Sequence, residues 1–127
     1  MVCMGKTFKI TLSVFVVLAT ALFAVEVFSL PKVTPELKAG AQEYYNNECK
    51  ACHRWGRKFA APPMKENVAQ YAEKPEEIVK YLMHPTPKHP DIWPAMEITP
   101  LTEDQAKMMT AWLLYILDNP EDPGRPK

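Results

Sequence analysis

The sequence predicts an all-α domain of four helices. Three segments open with a helix-start signal, either a proline at the first helical position or a capping hydroxyl, and a fourth carries apolar residues at helical spacing. No segment alternates apolar and polar residues with the period of two that a half-buried strand requires. Five prolines between residues 84 and 100 predict a stiff loop there rather than a regular element.

The first predicted helix begins at Thr34-Pro35-Glu36. This tripeptide combines a capping hydroxyl, a proline suited to the first turn and a carboxylate near the helix N-terminus. The apolar residues that follow at helical spacing, before the helix reaches Cys49, are Leu37, Ala41, Tyr44 and Tyr45. A shorter second helix is predicted over residues 64–71, where apolar side chains lie three positions apart.

The third and fourth helices have the clearest boundaries. The third begins at Pro75-Glu76-Glu77 and ends before Pro85. The fourth begins with a capping box, because the Thr102 hydroxyl and the Gln105 side chain are three positions apart and can each bond the other's backbone N–H. It is expected to end near Asp118, where an Asn-Pro pair follows.

The chain divides into three predicted regions. Residues 1–29 are predicted to be a signal peptide, residues 30–119 the folded domain, and residues 120–127 a polar, proline-rich, disordered tail. Two lysines precede an apolar, uncharged stretch over residues 10–25. A retained membrane anchor is the alternative, although these 16 residues fall short of the roughly 20 that a spanning helix needs.

Composition narrows the class of function. The chain carries 15 basic and 15 acidic side chains, and 13 and 14 of them remain without residues 1–29. This balance gives no indication of a nucleic-acid partner. The 98 residues that remain are few for an unaided core, and domains of this size commonly need a disulfide, a metal or another staple.

The pentapeptide Cys49-Lys50-Ala51-Cys52-His53 contains the residues that predict a functional site. Its two thiols can each form a thioether with a haem vinyl group, and the imidazole that follows can reach the iron. A thioredoxin-like pair would begin a helix after a strand, whereas this pair ends a predicted helix. A structural zinc site needs four ligands, and a plain disulfide leaves His53 without a role. The pattern therefore predicts one covalently attached haem c with His53 as an iron ligand.

From Thr34 to Asp118 the chain resembles the class I c-type cytochromes, and among them the short bacterial monohaem proteins. That family has an aromatic residue five positions before the first haem cysteine, where this chain has Tyr44. It has a proline nine residues after the haem histidine, matched by Pro62, and an axial methionine before a C-terminal helix with an aromatic residue, matched by Met96 and Trp112. The resemblance implies the cytochrome c fold, with about four helices wrapped around one haem.

Met96 is the predicted sixth ligand of the iron. It lies 43 residues after His53 in the proline-rich loop, and prolines reduce the entropy cost of holding such a loop over a haem. Methionine and histidine together fill both axial positions, which suits electron transfer. His84 and His89 are the alternative ligands and would give a lower potential. An open iron position would instead imply ligand binding or peroxidase chemistry.

Two further residues are expected at the site, each with a simpler alternative. Pro62 is expected to orient His53 through its carbonyl, or else to be an ordinary loop proline. Trp93 is expected to donate its indole N–H to a haem propionate, or else to pack within the loop. The sequence departs from the family at Ala61, where glycine is common, and at Glu97, where proline is common.

The expected function is that of an exported one-electron carrier in a respiratory or other periplasmic chain, and not that of an enzyme. Its partners would be redox proteins, with no nucleic acid and no small-molecule substrate, and it would meet a membrane only if the N-terminal segment is retained. The alternative is an electron-transfer haem subunit of a larger periplasmic oxidoreductase. The apolar run at residues 112–117 supports this alternative, because it is apolar on more faces than one small helix usually buries.

Basic side chains cluster around the pentapeptide. The cluster consists of Lys50, Arg54, Arg57, Lys58 and Lys65. One interpretation is a solvated face or a set of propionate partners. The other is a basic rim that steers an acidic redox partner, an effect that weakens as salt is added.

Overall fold

The computed structural model describes residues 26–86, 91–92 and 98–127. Its elements in chain order are α1 (Pro35–Tyr44), a π-helical turn (Tyr45–Cys49), α2 (Met64–Gln70), α3 (Pro75–Met83) and α4 (Glu103–Asp118). The all-α prediction is confirmed, because these ranges contain the four predicted helices and no strand. Most of the predicted signal peptide lies outside the described residues, as do Met96, His89 and Trp93.

The helix starts follow from local side-chain chemistry. The Thr34 hydroxyl accepts a hydrogen bond of 3.2 Å from the Leu37 N–H, which satisfies a backbone donor that has no partner within the helix. At α4 the predicted capping box is present in both directions. The Gln105 N–H donates to the Thr102 hydroxyl at 3.3 Å, and the Thr102 N–H donates to the Gln105 side chain at 3.0 Å.

Helix α4 lies at the centre of the core, because it packs against α1, α2 and α3. Trp112 and Ile116 are fully buried within it. Trp112 contacts Tyr45, with ring centroids 5.8 Å apart and ring planes tilted by 57°. The indole nitrogen of Trp112 has no hydrogen-bond partner among the described residues, so this side chain contributes through its apolar contacts.

Tyr44 and Tyr45 were both expected to pack the first helix against the last, and it is Tyr45 whose ring contacts Trp112. Tyr45 is 2% exposed, and Ala41, four positions earlier on the same face, is fully buried. Tyr44 is only half-buried, at the margin of the core. Packing against α4 therefore selects the face that carries Ala41 and Tyr45.

The apolar run at residues 112–117 is covered by the rest of the chain. Trp112, Leu113 and Ile116 are buried, and the other three members are half-buried against the same core. Lys38 lies over the Tyr115 ring, with Nζ 4.9 Å from its centroid. The apolar side chains of this run therefore pack against the core of the domain, three of them buried and three half-buried.

The C-terminal tail differs from the disordered segment that its composition predicts. Asp122 accepts hydrogen bonds from Lys38 at 2.5 Å and from the Tyr115 hydroxyl at 3.0 Å. The Gln42 side chain donates to the Gly124 carbonyl at 2.9 Å. The tail is polar and rich in proline, but its polar groups find partners on α1 and α4, and these partners hold it in a series of turns.

The residues before α1 also contact the core. Leu30 packs against it, and Lys107 of α4 lies with Nζ 5.9 Å from the centroid of the Phe28 ring. The chain from residue 26 to residue 34 thus runs beside α4 without regular structure of its own. In the described ranges, no helix is both long enough and apolar enough to cross a membrane.

Candidate functional site

A π-helical turn joins α1 to the two cysteines. Within it the Lys50 N–H donates to the Tyr45 carbonyl at 2.9 Å, which is a five-residue rather than a four-residue spacing. The wider turn places one extra residue in the helix just before Cys49. Insertions of this kind are frequent at functional sites, because they re-aim the side chains that follow.

The chain then folds into a tight turn that carries both thiols and the imidazole, called here the attachment turn (residues 49–53). The Cys49 carbonyl accepts hydrogen bonds from the Cys52 N–H at 3.2 Å and from the His53 N–H at 2.9 Å. Both cysteines are free thiols, with Cys49 half-buried and Cys52 exposed. Burial, with a smaller contribution from the Glu48 carboxylate, raises the pKa of Cys49 to about 11.

His53 is half-buried, and its ring nitrogen Nδ1 is buried with no hydrogen-bond partner among the described residues. Burial lowers the pKa of His53, because the charged imidazolium loses more hydration than the neutral ring. A neutral imidazole is the form that binds a metal. Its unpartnered buried nitrogen fits a side chain whose polar contacts are completed by another group.

By contrast, the backbone carbonyl oxygen of His53 accepts two hydrogen bonds. It accepts a hydrogen bond from the Tyr45 hydroxyl at 3.0 Å and another from the Arg54 guanidinium at 2.8 Å. The same guanidinium nitrogen also donates to the Lys50 carbonyl. The guanidinium lies over the Phe59 ring, with its central carbon 4.3 Å from the ring centroid.

The chain after the attachment turn makes a closed loop over residues 54–63. The Met64 N–H donates to the Arg54 carbonyl and the Lys65 N–H donates to the Trp55 carbonyl, both at 2.9 Å. Trp55, at 5% exposure, anchors this loop in the core. The ends of the loop are therefore fixed while its tip stays at the surface.

Pro62 lies half-buried in this loop, but the predicted hydrogen bond from His53 to its carbonyl is not formed, since Nδ1 of His53 has no partner there. The orienting role of Pro62 thus stays a prediction. Met96, Trp93 and the alternative ligand His89 lie outside the described residues. His84, the other alternative ligand, is exposed at the C-terminus of α3.

The basic cluster divides in two. Arg54 is half-buried and turned toward backbone carbonyls and an aromatic ring. The other four members are exposed: Lys50, Arg57, Lys58 and Lys65. The outward-facing part of the cluster is therefore the set without Arg54.

Two residues of the site were not singled out for these roles by the sequence. Tyr45 was expected only to pack, and Arg54 only to contribute a surface charge. Their sequence signal is weak but present, since both lie within eight residues of His53 and both can donate to a carbonyl. The zinc alternative gains no support, because the described part of the chain contains no cluster of three or more His, Cys, Asp or Glu side chains suited to a metal ion.

An all-α domain with two free thiols and a neutral imidazole on a single turn has the architecture of a covalent haem protein. The comparison with known families agrees, because the Cytochrome c family matches residues 37–117. The chain belongs to the cytochrome c family. No curated protein and no solved structure matches it. Membership implies a covalently bound haem c, with Cys49 and Cys52 at the spacing of the attachment motif, and a haem-based electron carrier that works with redox partner proteins.

Proposed function

We propose that the chain is an exported monohaem cytochrome that carries single electrons between proteins of a periplasmic chain. The observation that carries this proposal is the attachment turn, which holds Cys49, Cys52 and a buried, uncommitted His53 nitrogen together. The family match over residues 37–117 supports the carrier class.

The residues of the attachment turn have distinct tasks in this proposal. Cys49 and Cys52 hold the cofactor through two thioethers, and His53 binds iron from one side. When bound, haem c supplies a one-electron ferric–ferrous couple. Burial lowers the pKa of His53 and so favours its neutral form, and the hydrogen bonds to its backbone carbonyl would limit its movement as the iron changes charge.

Met96 is proposed to bind iron from the opposite side, with Pro62 orienting His53 and Trp93 contacting a propionate. The weak sulfur-to-iron charge-transfer absorption of the ferric protein tests the methionine assignment. We expect this band in the native protein and its loss in Met96→Ala. Met108→Ala is the matched control, because Met108 is half-buried on α4 and packs against the core. A band that survives in Met96→Ala would refute the assignment.

Carbon monoxide distinguishes a carrier from an open-iron protein. With both axial positions filled by protein ligands, the reduced native protein should bind carbon monoxide poorly. Met96→Ala should bind it readily, because one axial position is then free. Rapid binding by the native protein would overturn the carrier proposal, and would favour a ligand-binding or peroxidase function.

The exposed members of the basic cluster are proposed to form a rim that attracts an acidic redox partner. A test uses ferricyanide, a small polyanionic oxidant, with the reduced protein at increasing salt. We expect the oxidation rate to fall with ionic strength, and the low-salt rate to fall in Lys50→Gln and Lys65→Gln. Lys80→Gln is the control, because Lys80 is exposed on α3 outside the cluster. Equal rates in all three variants would refute the steering role.

Export is proposed from the N-terminal segment, with removal of residues 1–29. The mass of the purified holoprotein tests this directly, because cleavage removes a defined mass and haem attachment adds one. A mass that includes the first 29 residues would favour the retained anchor. The alternative, a subunit of a larger complex, is supported by the net charge near zero, whereas the apolar run of α4 packs in large part against the domain.

A further inference from the structure

We propose that Tyr45 and Arg54 are positioning residues that together hold His53 through its backbone carbonyl. This inference rests on the proposed role of His53 as an iron ligand. Both side chains donate to the same oxygen, Tyr45 at 3.0 Å and Arg54 at 2.8 Å. A carbonyl oxygen offers two lone pairs, so these two donors use its full capacity.

Tyr45 is itself held from several sides. Its ring is 2% exposed and contacts Trp112 of α4, and its own carbonyl accepts the Lys50 N–H at 2.9 Å. Its hydroxyl then reaches His53. Tyr45 therefore contacts both ends of the attachment turn. Its backbone carbonyl accepts from Lys50 near the start of the turn, and its hydroxyl donates to His53 at the end. The attachment turn is tied in this way to the α1–α4 interface.

Arg54 ties the same carbonyl to the other side of the site. Its guanidinium bonds the backbone of Lys50 and His53 and lies over the Phe59 ring of the loop. Its own carbonyl accepts the Met64 N–H, which closes that loop onto α2. A hydrogen bond from a charged donor is about twice as strong as a neutral one. Arg54 therefore couples the attachment turn to the loop over residues 54–63.

As a result, hydrogen bonds fix the backbone of His53, whereas Nδ1 of its ring has no hydrogen-bond partner among the described residues. The His53 N–H is bonded to the Cys49 carbonyl at 2.9 Å and its C=O to two donors, whereas Nδ1 has no partner. The side chain leaves from a Cα whose two flanking peptide groups are both bonded. Rotation of the backbone would break at least one of these bonds, so the direction of the His53 Cα–Cβ bond is set before any group binds the ring.

The test uses the holoprotein and the variants Tyr45→Phe, Arg54→Gln and the double variant. Tyr45→Phe keeps the ring against Trp112 and removes only the hydroxyl. Two readouts are measured: amide hydrogen exchange at His53 in the reduced protein, and the paramagnetically shifted imidazole proton resonances in the ferric protein. Each single variant should accelerate exchange at the His53 N–H by roughly three- to tenfold, because the local opening that frees this N–H from the Cys49 carbonyl also breaks the bonds to the His53 carbonyl and costs less when one of them is missing. The imidazole resonances should also shift, and the double variant should exceed either single one.

Tyr115→Phe is the matched control. It removes a tyrosine hydroxyl bond of the same length, 3.0 Å, but to Asp122 in the tail. This variant should lower overall stability and leave the imidazole resonances in place. If the double variant carries its haem yet shows unchanged His53 exchange and unchanged resonances, the positioning role is refuted. If the native protein attaches no haem at Cys49 and Cys52, the proposed function fails instead, so the two failures are distinguishable.

Discussion

Replacing Thr110 by valine should leave the stability of the protein nearly unchanged, although it removes a fully buried hydrogen bond. Thr110 is fully buried in α4, and its hydroxyl donates to the Ala106 carbonyl at 2.7 Å. That carbonyl also accepts the helical N–H of Thr110, four residues on, so it keeps a partner when the hydroxyl is removed. The substitution thus deletes a buried polar group without leaving a second polar group unsatisfied.

The size of the effect follows from three contributions. Loss of the hydroxyl bond costs about 1 kcal/mol, a net value that already includes the desolvation of the hydroxyl. A methyl group in the same place adds about 0.8 kcal/mol of apolar burial. Helix propensity changes little, because threonine and valine rank together. The loss and the gain nearly cancel, so the net expectation is a change smaller than about 1 kcal/mol, which is less than about 4–8 °C in Tm for a domain of this size.

Thr110→Ser is the opposite change at the same position. It keeps the hydroxyl and deletes the methyl group, which leaves a small void and should cost about 1 kcal/mol. Thermal and guanidinium unfolding of the holoproteins, followed by circular dichroism, measure both variants, with the haem absorption spectrum as a check on the site. If Thr110→Val is less stable than the native protein by clearly more than about 1 kcal/mol, the hydroxyl has a further partner and the reasoning is wrong.

Three further outcomes are expected in the same unfolding assays. Thr102→Ala should cost about 1 kcal/mol, because it removes the cap of α4, and Thr102→Ser should recover most of it. Gly124→Ala should cost about 1 kcal/mol, because the new Cβ would lie 1.7 Å from Gln42 Nε2 and that side chain must give up its bond to the tail. The Lys38 side chain, the Gly124 N–H and the Tyr115 hydroxyl lower the pKa of Asp122, so this carboxylate stabilises the fold above its unfolded pKa of about 3.9 and loses that contribution as pH falls through its lower folded pKa. Asp122→Asn should therefore reduce the loss of stability on acidification. If stability falls with pH in the same way in this variant and in the native protein, the ion pair contributes nothing to stability.

The helices could be predicted because the residues at each helix end determine its boundaries. Thr34 and Thr102 each form the expected cap, and a proline occupies the first turn of α1 and of α3. Such signals act within three or four residues, so one sequence is enough to identify them. The attachment motif is equally local, which is why its two cysteines and its histidine could be assigned before any fold was known.

The remaining features depend on contacts between distant residues. The tail was expected to be disordered, but Asp122 meets Lys38 across 84 positions of sequence. The composition of a segment indicates whether it would be ordered in isolation, but it does not indicate a partner elsewhere in the chain. The choice of Tyr45 over Tyr44 has the same origin, because both are tyrosines at the end of one helix. Only the position of α4 determines which of them is buried.

These distant contacts converge on one face of α1. Lys38, Gln42 and Tyr45 are spaced by four and three residues, so they lie along a single side of the helix. The first two bond the tail and the third bonds the carbonyl of His53. The tail therefore lies along the same side of α1 that carries Tyr45, and Tyr45 separately bonds the attachment turn. In the proposed carrier, holding His53 from its backbone would limit its movement when the iron changes charge.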